Sequence, residues 1–113
     1  MEDVILIALL FIMDGILFIA LGIPLFRGRV PPNSWYGFRT RKTLSDEKIW
    51  YAVNRVAGKD MILAGAVVIV SSSILLLFAG RISSARATAV LVMATLLSVT
   101  WMVVHGYSVL RRM

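Results

Sequence analysis

Three long apolar runs alternate with two polar stretches along this chain. Val4 to Phe26 is apolar apart from Asp14, Met61 to Ala79 surrounds three central serines, and Ala87 to Leu110 carries only scattered hydroxyls and one histidine. A helix crosses the hydrocarbon core of a bilayer in about 20 residues, so each run predicts a transmembrane helix. The first run has 23 residues, and an acidic flank (Glu2, Asp3) precedes it. That length and that flank argue for a retained span rather than a cleaved signal peptide.

The polar stretch from Arg27 to Asp60 follows a different pattern. Pro31 and Pro32 stop any helix entering from the first span. Asn33 to Thr43 has no clear period and reads as an ordered loop. Ser45 is placed to cap a helix whose first turn holds Asp46 and Glu47. In that helix, about residues 46–58, Ile49, Trp50, Val53, Val56 and Ala57 share one face, while Lys48, Tyr51, Arg55 and Lys59 share the other. Apolar and aromatic on one side and basic on the other predicts a helix lying in the membrane interface, which either runs straight into the next span or bends near Gly58. The expected fold is therefore an all-α membrane protein forming one domain over 1–113. It has spans near 4–26, 61–79 and 87–110, with a motif loop and a cytoplasmic interfacial amphipathic helix over 27–60.

Composition agrees with a bilayer setting. The 113 residues are 59% hydrophobic, against about 45–50% in soluble domains. The net charge of +6 would suggest nucleic acid in a soluble protein, but the basic residues are placed otherwise. Eight of the twelve Lys and Arg lie in the first loop, two follow the last span, and only Arg81 and Arg86 lie in the second loop. The positive-inside rule then puts the first loop and the C-terminus in the cytoplasm and the N-terminus outside, in a multi-pass protein of the plasma membrane. Anionic lipid headgroups are the partner this implies. With no cysteine, there is no disulfide framework and no thiolate chemistry.

Candidate chemistry falls in two places. Asp14 sits halfway along the first span, at about the depth of Ser72 and its neighbours and of Thr95 and Ser98. A mid-membrane polar layer is expected, with Asp14 bonded to those hydroxyls. The plain role for such a layer is gluing helices together; the functional one is a proton or ligand site. His105 is the only histidine and has no carboxylate near it in sequence, so it reads as an interfacial hydrogen-bonding residue rather than a metal ligand. Ser45 and Lys48 match a short Ser-x-x-Lys pattern without its companion motifs, and a helix cap accounts for Ser45. No catalytic residues, metal or cofactor are expected.

The second place is the loop itself. Trp50 and Asn54 lie one turn apart and neighbour Gly58 on the next. Trp35, Tyr36 and Tyr51 suit membrane-edge anchors, Gly37 permits a turn closed to other residues, and Arg39 can fork onto a carboxylate, a phosphate or carbonyls. At these residues the chain resembles the SdpI family of small bacterial and archaeal membrane proteins. Three separated blocks carry the resemblance: Pro32, Asn33, Trp35, Tyr36, Gly37, Phe38, Arg39 and Thr40; then Thr43 to Asp46; then Trp50, Asn54, Arg55, Ala57 and Gly58. The resemblance implies a polytopic membrane protein related to immunity against a membrane-damaging peptide toxin. It also implies a cytoplasmic regulatory protein as a signalling partner. The expected function is thus binding and protection rather than catalysis. The rival is a small proton-coupled carrier or channel using Asp14. That reading requires a homo-oligomer, since three spans are few for a solute path.

Overall fold

The computed structural model describes residues 1–113 as four helices and no strand. α1 covers Glu2–Phe26, α2 Arg41–Ser45, α3 Glu47–Leu77 and α4 Ser84–Arg111. The long helices run up, down and up, so the 27–46 loop and the end of α4 meet at one end of the bundle, here termed the loop end. All three are long and apolar enough to cross a membrane. The long axis of 51 Å exceeds the roughly 40–45 Å of a bilayer with its headgroups. Most large apolar side chains face outward, among them Leu6, Leu10, Met13, Val70, Leu97 and Val104. Water would penalise that surface; lipid tails would not.

The interfacial helix is absent as a separate element. Residues 47–58 are the first turns of α3, which continues unbroken to Leu77. Its 31 residues make a rod of about 46 Å, and the hydrocarbon core needs only about 30 Å of it. The remainder is the amphipathic part, standing on the bundle rather than lying across it. Its apolar face buries Trp50, Val53 and Ala57 inside the protein, so no lipid-facing stripe is left to lay it flat. The start of α3 differs as well. Asp46, not Ser45, is the N-cap and accepts from the Lys48 amide at 2.8 Å. Ser45 instead ends α2 and donates to the Lys42 carbonyl at 2.8 Å. The stretch read as plain loop thus contains a short helix, capped by a reciprocal pair, Thr40 and Thr43.

α1 and α3 pack through glycines. Gly22 lies against Gly58, and Gly15 against Gly65. A Cβ on Gly65 would come within 2.5 Å of the Gly15 carbonyl oxygen, and one on Gly22 within 2.6 Å of that of Gly58. The backbones are therefore in direct contact, as small residues allow in membranes. The contacts recur every seven residues, and the same antiparallel register brings Ala8 opposite Ser72, both fully buried. α4 is the least buried of the three spans. Away from the loop end it is held by Ala87 and Leu91, which cluster with Val4, Leu75 and Ala79.

Candidate functional site

The loop end is built from the inside out. α1 stops in a Schellman arrangement: the Gly28 amide donates to Leu25 and the Arg29 amide to Pro24, at 3.1 and 3.0 Å. Gly28 takes the left-handed conformation this requires, φ +68°. The Arg55 guanidinium lies beside it, exposed. Pro31 and Pro32 then turn the chain back over the bundle. Asn33 folds it further, its Nδ2 donating to Pro31 and its Oδ1 accepting from the Trp35 and Tyr36 amides at 3.0 and 2.7 Å.

Two buried side chains of α3 receive this loop. The Trp50 indole is fully buried and donates to the Val30 carbonyl at 2.8 Å. Asn54, 1% exposed, accepts from the Phe38 amide at 2.6 Å. It donates to its own helix at Trp50 O, 3.0 Å, and reaches the Phe38 carbonyl at 3.4 Å. Asn54 thus gives a strandlike segment the two-way bonding a sheet neighbour would give. Gly37 passes directly above, at φ +113°, where a Cβ would lie 2.8 Å from Asn54 Oδ1 and 3.2 Å from the Trp50 ring. Only glycine fits there, for both reasons.

The loop also clasps the other two helices. The Tyr36 hydroxyl donates to the Leu21 carbonyl of α1. Burial raises the Tyr36 pKa above its ordinary value of 10.0. Phe38 sits on Gly106 of α4 and meets Tyr107 edge to face, centroids 5.2 Å apart. Lys42 donates to the Leu110 carbonyl at 2.9 Å, placing a cation on the carbonyl end of α4. Trp35 and Arg39 remain outside. Trp35 is 83% exposed, and exposed Arg39 donates back to the Ser34 carbonyl, bracing the turn that presents Trp35.

The expected mid-membrane layer does not form. Ser72 and Ser73 donate to Val68 and Ile69 of their own helix, and Thr95 to Leu91. Such hydroxyls satisfy themselves four residues back. Asp14 has no hydrogen-bond partner, and Ser98 faces a groove between α3 and α4. A carboxylate–imidazole contact lies nearer the loop end instead, at a residue the sequence reading passed over. Asp60 is 2% exposed, and its Oδ2 meets His105 Nδ1 at 2.6 Å. Spacing held the signal: Asp60 continues the stripe Trp50, Val53, Ala57 toward Ala64, so it had to point inward.

This lid of three sequence blocks over a three-span bundle can be set against known proteins. The family model described as the SdpI/YfhL protein family matches residues 29–108. The chain belongs to that family. A curated relative, "Uncharacterized protein YfhL" of Bacillus subtilis (strain 168), is 47% identical over 36 residues, 32% of this chain. That stretch spans 33% of the relative's own length. No solved structure matches. The match begins just after α1, so the family region is the lid with α3 and most of α4.

Proposed function

We propose that this member of the family is a protection protein: it binds and neutralises a membrane-active peptide and signals that state to a cytoplasmic regulator. The lid is its working surface. One observation carries the reading. The motif residues include a buried frame, Trp50, Asn54 and Thr43, with Gly37 half-buried above it, and an outward edge, Pro32, Trp35 and Arg39. A tryptophan held open to the surroundings contributes nothing to closing the bundle, and Trp and Arg are among the residue types enriched at binding hot spots. Family membership supports a link to immunity. The ten basic residues at the loop end and C-terminus support a cytoplasmic placing of that edge.

The test is survival of a sensitive bacterium under a panel of membrane-active peptides. Trp35→Ala and Arg39→Ala are expected to accumulate like the parent and to lose protection. Asn54→Ala is expected to lose protection together with a folded lid. Full protection by both outward variants at matched membrane levels would overturn the docking role.

A further inference from the structure

Between α3 and α4, in the membrane-spanning half of the molecule, runs an open groove of about 690 Å³. Its walls are Leu63, Val67 and Val70 on α3 and Leu97 and Trp101 on α4, with Ser71 and Ser98 on either side. Trp101 stacks on His105, ring centroids 5.2 Å apart and planes 15° apart. Leu63 lies one turn beyond Asp60. The loop end of the groove, at Leu63 and Trp101, thus lies one helical turn from Asp60 and His105. From His105 to Leu97 is eight residues, about 12 Å along the helix. An amphiphile with its head at His105 would lay its tail down this channel.

The head can be specified from the charges. His105 is the only side chain in ion-pairing distance of Asp60. The nearby cations are engaged elsewhere or turned away: Lys42 on the Leu110 carbonyl, Arg39 on that of Ser34, Lys59, Arg111 and Arg112 exposed. α1 carries no ionisable residue between Asp14 and Arg27, the Tyr36 hydroxyl is spent on Leu21, and Tyr107 packs on Phe38. His105 Nδ1 is committed to Asp60, while the ring is 40% exposed and Nε2 has no partner. With Nδ1 turned to the buried carboxylate, Nε2 is the ring nitrogen left open, and the Asp60 contact holds it in a fixed orientation. An open imidazole nitrogen at the end of the molecule that carries ten of the twelve Lys and Arg residues complements a phosphate.

We propose that the α3–α4 groove is a binding site for one anionic phospholipid, its phosphate on His105 Nε2 and one acyl chain along Leu97, Trp101, Val67 and Val70. This goes beyond the protection reading and stands without it. Asp60 is a positioning residue here, since it touches the lipid only through His105.

The test is native mass spectrometry of the purified full chain after exchange into detergent with phosphatidylglycerol or phosphatidylethanolamine. The parent is expected to retain one phosphatidylglycerol per chain and to prefer it over phosphatidylethanolamine. His105→Gln removes the imidazole Nε2, and Val70→Trp fills the groove without touching the pair. Each is expected to lower retention about tenfold, the equivalent of about 1.4 kcal/mol. Leu17→Trp, on the outer face of α1, is expected to retain lipid like the parent. Equal retention by all four proteins would overturn the site. So would loss in Leu17→Trp, or retention by the parent without preference for the anionic lipid. Should His105→Gln fail to fold, as read by thermal unfolding in detergent, Val70→Trp against Leu17→Trp decides alone.

Discussion

Removing the Asn54 side chain tests the frame of the lid directly. Asn54→Ala keeps α3 helical, because alanine is the better helix former. It deletes the acceptor 2.6 Å from the Phe38 amide and the donors at 3.0 and 3.4 Å. The Phe38 amide is then left half-buried without a partner. Stranding a buried polar group costs about 1–3 kcal/mol. At about 1.4 kcal/mol per decade, the population of lids lifted from the bundle rises roughly 5- to 150-fold. Trypsin reports that population. Arg39, Arg41 and Lys42 lie in the clasped segment, and cleavage of a briefly opened segment follows the open fraction when reclosing is fast. The assay is the rate of cleavage at these three residues in detergent micelles, with Ser73→Ala, on the exposed face of α3, as control. A rate within twofold of the parent in Asn54→Ala would show that the Phe38 bonds do not hold the lid, and the frame argument would fail.

Other consequences are as specific. Gly65→Ala should destabilise the fold by about 1–3 kcal/mol despite its gain in helix propensity, as overpacked sites do, whereas Gly80→Ala, where the nearest atom is 3.8 Å away, should be neutral; reversible unfolding in mixed micelles separates the two. Burial favours the protonated Tyr36 phenol, so its contribution is intact below pH 10 and fades as pH rises through the raised value; tryptophan fluorescence should show the lid releasing in strong alkali, with the step missing in Tyr36→Phe. Asp14→Asn should leave both protection and stability at or above the parent level, because Asp14 holds no partner to lose; failure of proton-coupled flux or of protection in that variant would instead return the carrier reading to the front.

The three spans were legible because hydrophobic length is a coarse and strong signal. The lid motif was legible as residue types, and its division into frame and edge was not. Trp35 and Trp50 look alike in sequence, yet one is exposed and the other fully buried. The interfacial helix was misread because amphipathic periodicity says which face is apolar, not whether lipid or protein covers it. Gly58 invited a bend there; the structure uses it for contact with Gly22. The serine layer was misread because hydroxyls in helices have a nearer acceptor than Asp14, their own backbone. His105 appeared partnerless because its carboxylate lies 45 residues away in the chain.

The glycine seam also constrains how such a chain can change length. Gly15 and Gly22 face Gly65 and Gly58 at one spacing of seven. One residue added to α1 between Gly15 and Gly22 would turn everything beyond it by about 100°. Leu21 would then arrive where Gly22 now touches the Gly58 carbonyl, and the helices would be forced apart. A whole heptad removed from both helices leaves glycine on glycine and shortens the pair by about 10 Å. Between its paired glycines this fold can therefore change length only in steps of about a heptad, with α1 and α3 shortening or growing together.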